Sequence, residues 1–281
     1  GDNTGILPNT TDICMKRFTI LALISLLLVA CATSPTGRRQ LMLVSEETAI
    51  SASKEAYAQT LKPLSEEGKV DNDPVLTKRV TEITERLVAQ AVKMRPATSR
   101  WDWSIKVIDD PEVVNAWCMA GGKMAIYTGL IEKVQTSDDE IAQVMGHEIA
   151  HALANHQAEK MSVSMATSVG VAAVGVVSDR PGIAMSGAAA AALLAIKLPN
   201  NRTAETEADR IGIELAAKAG YDPRAAVTLW EKMGKVGGGS RQPQFLSTHP
   251  GPENRKRALG ALVPRMMPYY ESKQPRPIFK L

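Results

Sequence analysis

His147-Glu148-Ile149-Ala150-His151 is the stretch on which the reading of this chain turns. On a helix, residues four apart share one face, so both imidazoles reach a single point. Imidazole nitrogens hold a zinc-like metal at about 2 Å. Glu148 stands one position on from His147, beside such a metal without being forced to ligate it. That placement suits a general base acting on water. Two surface histidines on an ordinary helix would give the same five letters by chance. The neighbours argue otherwise. Gly146 precedes the first histidine, and Ile141, Val144, Met145, Ile149, Ala150 and Leu153 cover the rest of the helix. Polar groups on a buried helix need partners, and one metal satisfies both histidines.

A hydrolytic metal site needs a third protein ligand and an open position. Glu205-Thr206-Glu207-Ala208-Asp209 supplies candidates on a second helix. Glu205 and Asp209 share a face. Glu205 can ligate while Asp209 accepts a hydrogen bond from a ligating histidine and fixes its tautomer. Glu207 points elsewhere. Taken alone, these acids would be a solvated helix start favoured by the dipole. The first motif tips the balance.

Working outward, Ser137-Asp138-Asp139-Glu140 is a capping box that opens the motif helix, expected to run to about Lys160. Ser104 to Ile108, Asn115 to Met119 and Lys123 to Thr128 read as strands, the last two joined by a turn at Ala120-Gly121-Gly122. Ser45 caps a helix to about Leu61. Asp73-Pro74 opens another, which Pro96 ends. Ala204 to Ala219 is a helix stopped by Gly220, and Asp222-Pro223 opens the next, ending near Gly234. Gly237-Gly238-Gly239-Ser240 reads as a flexible loop. Met161 to Ser178 and Ile183 to Ile196 lack charge but are built from small residues. They form two packed helices, a membrane hairpin or a lid, and the scarcity of Leu, Ile and Phe in the first disfavours the membrane. The expected fold is α+β and mainly helical, with a small antiparallel sheet beside the motif helix.

The N-terminus does not read as folded structure. Residues 1–14 precede a natural start at Met15 and look like an extension foreign to the protein. Residues 15–30 carry Lys16-Arg17 and an apolar core from Phe18 to Ala30, the form of a secretory signal and too short to span a bilayer. Leu28-Val29-Ala30-Cys31 resembles a bacterial lipobox, which implies cleavage before Cys31 and a lipid on its sulfur. Residues 31–42 then form a polar tether, residues 43–265 the catalytic domain and residues 266–281 a Pro-rich surface tail. With Cys31 lipidated and Cys14 removed, Cys118 has no disulfide partner. The formal charge is only +3 and Lys and Arg form no run, so no nucleic-acid partner is expected.

The two metal motifs together resemble the HExxH/ExxAD gluzincin metallopeptidases, which include the HtpX-like, CAAX prenyl and Oma-type proteases. The likeness is strongest to their periplasmic lipoprotein branch and runs from Thr36 to about Leu262. It includes Gly37-Arg38-Arg39-Gln40-Leu41, Gly121-Gly122-Lys123, Tyr127-Thr128-Gly129-Leu130, Gly220-Tyr221-Asp222-Pro223 and Ser247-Thr248-His249-Pro250. The resemblance implies one Zn2+ per chain held by His147, His151 and Glu205, with Glu148 as catalytic base. It gives His249 and Arg255 a role at the oxyanion, or His249 a place as fourth ligand in a latent state. It also implies that Asn115, Ala116, Trp117, Cys118 and Met119 align the substrate as an added strand. Relatives commonly carry Pro just before the glycines, where this chain has Ala120, so the strand register is open. His156 lies off the ligand face and reads as packing or support. Expected partners are unfolded or misassembled envelope polypeptides, envelope assembly proteins and the membrane, with the protein on the inner leaflet of a Gram-negative outer membrane. The rival is a lipid-anchored chaperone or binding protein with a structural zinc, which Glu148 disfavours. A third reading is an integral membrane protease.

Overall fold

The computed structural model describes residues 31–177, 202–236, 244–249 and 254–281. The signal segment, the stretch Ile183 to Ile196 and the loop Gly237 to Ser240 lie outside the described residues.

The expected tether is a docked hairpin instead. Strand β1 (Cys31–Thr33) pairs antiparallel with β2 (Arg39–Leu41). Ser34 and Gln40 are buried, because Arg38, Gln40 and the hydroxyls between the strands find acids on other elements. Helix α1 (Glu46–Glu66) follows, its first turn capped by Ser45, which accepts from Thr48 N at 3.2 Å. Helix α2 (Pro74–Met94) starts as its sequence requires: Asp73 accepts from Val75 N at 2.8 Å and Leu76 N at 3.1 Å, with Pro74 in the first turn. Its apolar stripe, Val80, Ile83 and Leu87, is buried.

Strands β3 (Ser104–Ile108), β4 (Ala116–Met119) and β5 (Lys123–Tyr127) form one sheet in the order β3-β5-β4. The sheet is mixed rather than antiparallel: β5 is antiparallel to β4 and parallel to β3. The chain reverses after β3 and again at the β4–β5 turn, so β5 must run the way β3 runs. Alternating hydropathy does not encode that direction. At the turn Gly122 has φ 83°, and a Cβ there would lie 2.3 Å from the Trp103 ring.

Helix α3 (Asp138–Leu153) opens with the full capping box and carries the histidine motif. It stops at Leu153, earlier than its periodicity predicts. Asn155 takes φ 54°, a left-handed conformation that Asn tolerates better than most residues. The freed carbonyls are collected from outside: Arg95 reaches Leu153 O at 3.1 Å and Gln40 reaches Ala154 O at 2.7 Å. Helix α4 (His156–Val177) follows. It contains most of the first small-residue stretch, and no helix among the described residues is long and apolar enough to cross a membrane.

Helix α5 spans residues 202–219 and stops at Gly220. Helix α6 (Ala225–Val236) and helix α7 (Arg255–Tyr270) complete the fold. Helix α7 passes the expected domain boundary at 265, with Pro264 and Pro268 inside it and Met266 buried. The tail beyond is pinned: Arg276 donates to Lys218 O, Tyr269 O and Tyr270 O at 2.8 Å each, and Phe279 N donates to Glu85 O at 3.0 Å. The main core joins α2, the sheet, α3 and α5. Helices α3 and α5 touch backbone to backbone. A Cβ on Gly212 would lie 2.7 Å from His147 N, and one on Gly146 would lie 2.8 Å from Gly212 O. A Cβ at either glycine would hold the two helices further apart.

Candidate metal centre

One ligand atom from each of His147, His151, Glu205 and His249 falls within 4.8 Å of the others. Helix α3 supplies the first two, one turn apart, and α5 supplies Glu205 across the glycine contact. His147 Nε2 lies 3.0 Å from His151 Nε2 and 3.3 Å from Glu205 Oε2, while His151 Nε2 lies 3.4 Å from Glu205 Oε1. His249 follows the short helix Gln244–Thr248 and stacks on Phe245, with ring centroids 4.7 Å apart. Phe245 is buried and anchors this helix through its N–H to Val114 O at 3.0 Å.

The surroundings hold these groups in place. Asp209 Oδ1 lies 3.0 Å from His147 Nδ1. Arg255 donates to Asp209 at 2.5 Å and to Glu205 at 3.3 Å, and its guanidinium lies over the Trp230 ring at 4.1 Å. Glu148 is buried, 3.4 Å from His249 Nε2, and its Oε1 has no hydrogen-bond partner among the described residues. Burial raises its carboxyl pKa, against the opposing pull of His249 and His147. Burial and the neighbouring imidazoles His147 and His156 press His151 well below its ordinary value, so it stays neutral. Burial and Arg255 also press on His147, but Asp209 and Glu205 outweigh them and hold it at about 9.

Two imidazoles and a carboxylate converging on one point are a divalent-cation donor set. Glu148, with no hydrogen bond at Oε1 and His249 Nε2 3.4 Å from it, stands beside this donor set. The residues therefore fit a metal.

A profile of Peptidase family M48 matches residues 74–263. The chain belongs to peptidase family M48. Among curated relatives, the mitochondrial metalloendopeptidase OMA1 of Arabidopsis thaliana is 39% identical over 170 residues, 59% of this chain and 33% of that protein. The mitochondrial metalloendopeptidase OMA1 of Bos taurus is 31% identical over 264 residues, 88% of this chain and 50% of that protein. A putative beta-barrel assembly-enhancing protease of Vibrio cholerae is 33% identical over 194 residues, 66% of this chain and 39% of that protein. The M48 chain thus spans half or less of the length of these three relatives.

Every residue that the sequence singled out for the metal or the chemistry lies in this cluster: His147, Glu148, His151, Glu205, Asp209, His249 and Arg255. Among the proposed substrate-aligning residues, Ala116 to Met119 form β4, at the edge of the sheet. Asn115 precedes it and accepts from Tyr127 N at 3.1 Å. That bond and the β4–β5 register settle the direction of each peptide group. Odd-numbered residues face β5, so Ala116 and Cys118 turn their N–H and C=O to the free edge. The Cys118 carbonyl accepts from Gln157 Nε2 at 3.0 Å there, while the Cys118 backbone N–H favours the charged form of Glu148. The Cys118 thiol is buried, and burial pushes its pKa well above the ordinary value, so it is inert.

Several residues escaped the sequence reading. Phe245 and Trp230 stand behind His249 and Arg255, with no periodic pattern to mark them. Glu207 does point away from the ligands, but into a second polar cluster with His156, Ser34, Thr36 and Arg38. The cue in the sequence is Gly37-Arg38-Arg39-Gln40-Leu41, which carries family likeness but has the composition of a tether.

Proposed function

We propose that this chain is a zinc metalloendopeptidase that cleaves unfolded or misassembled polypeptides of the bacterial envelope, held at the periplasmic membrane surface by a lipid on Cys31. The observation that carries the reaction class is the buried Glu148 carboxylate, with no hydrogen bond at Oε1, between the convergent donors and the edge of β4.

His147, His151 and Glu205 would hold the zinc ion, which when bound supplies Lewis acidity to the scissile carbonyl and to water. Glu148 takes a proton from the attacking water at its carboxylate and delivers it to the leaving amine nitrogen. Its raised pKa suits a group that must both accept and give that proton. Arg255 fixes Glu205 and Asp209, and Asp209 keeps the His147 hydrogen on Nδ1. His249, beside Glu148, faces the developing oxyanion. The substrate lies as an extra strand on Ala116 and Cys118, displacing the Gln157 amide from Cys118 O. Recognition through backbone groups demands an extended chain and reads side chains little, which favours unfolded substrates. An open groove of about 700 Å³ beside the edge, lined in part by Ala52, Ala56, Met119, Met161 and Met165, suits the apolar side chains such chains expose. The name of the Vibrio cholerae relative supports an envelope role, with assembly proteins as partners.

A second reading has one observation in its favour. His249 can reach the donor cluster as a fourth ligand, and a closed shell marks a structural site. Zinc content and casein cleavage separate the two, measured on the wild type, Glu148→Gln and His249→Ala. The expected result is one zinc per chain in all three, with cleavage falling about 10²–10⁴-fold in Glu148→Gln. Normal cleavage by Glu148→Gln would sink the mechanism. Zinc without cleavage by any of the three would favour the structural site. Faster cleavage by His249→Ala would make His249 a latch. For the anchor, Cys31→Ser should move the protein from the membrane to the soluble envelope fraction; an unchanged distribution would remove the lipid from the proposal.

A further inference from the structure

His151 directs its two ring nitrogens to opposite sides. Nε2 faces His147 and Glu205, while Nδ1 lies 2.8 Å from His156 Nδ1. Only one of two facing nitrogens can carry the hydrogen. The other nitrogen of His156 decides which. Its Nε2 lies 3.1 Å from Glu207 Oε2, and a carboxylate only accepts. A neutral His156 therefore donates from Nε2 and accepts at Nδ1, and His151 then donates from Nδ1. The Nε2 lone pair of His151 is left bare, aimed at the ligand cluster.

Glu207 is itself clamped. It accepts from Arg38 Nε at 2.7 Å and from the hydroxyls of Ser34 and Thr36. The same guanidinium forks onto Glu159 at 2.7 and 2.6 Å, and Gln40 adds a bond to Glu159 at 2.9 Å. Glu207, Glu159, His156 and Gln40 are all buried. Burying such a cluster is poor value for stability alone, because desolvation offsets the Coulomb attraction. Nothing in the hydrolytic chemistry above employs it. Among the described residues, its hydrogen-bonded link toward the donors runs through His156.

We propose that His156 is a positioning residue for His151, and that the hairpin segment 34–40 holds it in that role through Arg38 and Glu207. The inference rests on the metallopeptidase reading. It makes the N-terminal hairpin a working part of the metal centre, matching on the His151 side what Asp209 does for His147.

The test uses the full chain and four variants: His156→Ala, Glu207→Gln, Arg38→Ala and the double Arg38→Ala/His156→Ala. Zinc affinity is read by chelator competition, and the ring tautomer of His151 by nitrogen-15 NMR of the metal-free protein. The wild type should carry the hydrogen on Nδ1. Each single variant should bind zinc roughly 10–100-fold more weakly, and the double variant no more weakly than His156→Ala. A wild-type His151 protonated on Nε2 overturns the proposal, and so does unchanged affinity in folded variants or a fully additive double loss. The wild-type tautomer decides even if every variant unfolds. Absence of zinc binding by the wild type would instead overturn the metallopeptidase reading, leaving the tautomer result to be judged separately.

Discussion

At the scale of single residues, the centre is a set of opposed electrostatic demands. His147 and His151 sit four positions apart yet are driven in opposite directions. Asp209 and Glu205 raise His147 to about 9 despite burial, while burial and its neighbours keep His151 neutral. A folded-state pKa above the ordinary value of about 6.5 contributes stability that is complete below 6.5 and lost as pH rises through the folded value. Chelator-treated protein should therefore lose stability between about pH 6.5 and 9, read as a falling urea midpoint. Zinc-loaded protein should not, because the cation takes the proton's place. A flat or rising midpoint without metal would show that His147 is not held as described. The ligand residues were legible because their spacing is their chemistry: i and i+4 on a helix, twice. Arg38 was not legible, because its partner Glu207 lies 169 positions away and nothing local distinguishes a clamping arginine from a solvated one.

At the scale of elements, helix starts were plain, and helix ends were plain where Pro96 or Gly220 marks them but not at Leu153. Ser45, Asp73 and Ser137 each cap as their sequence implies, through a side chain that meets its own backbone a few residues on. The stop of α3 at Leu153 depends instead on Arg95 and Gln40, which arrive from elsewhere in the chain. Strand positions were legible from alternation, but the parallel β3–β5 pairing was not, since direction is set by connections. The crossing of α3 and α5 is a tertiary fact written in two glycines. Gly212→Ala would force a Cβ to within 2.7 Å of His147 N, and the helices must part. We expect a loss of about 1–3 kcal/mol, read from urea unfolding of metal-free protein, together with weaker zinc binding. Unaltered stability would mean that the crossing adjusts freely.

At the scale of the whole molecule, the metal centre belongs to no single region of the chain. The hairpin, α3, α4, α5 and the start of α7 each contribute, and their contacts span 169 positions between Arg38 and Glu207 and 108 between His147 and Arg255. The expected boundaries at 42 and 265 fail for this reason: the hairpin at 31–41 is drawn in by buried acids, and the C-terminal segment by Arg276 and Phe279. Such a layout also has a history in time. Chains emerge at about 5–20 residues per second, so Glu207 trails Arg38 by roughly 8–34 s on that scale. Within it, the histidine motif exists without Glu205 from position 151 to 205, roughly 3–11 s at that rate. The proposed cutting activity is thereby withheld until Glu205 and Arg255 have been made, so the part of the chain that carries the histidine motif is without it when it first emerges.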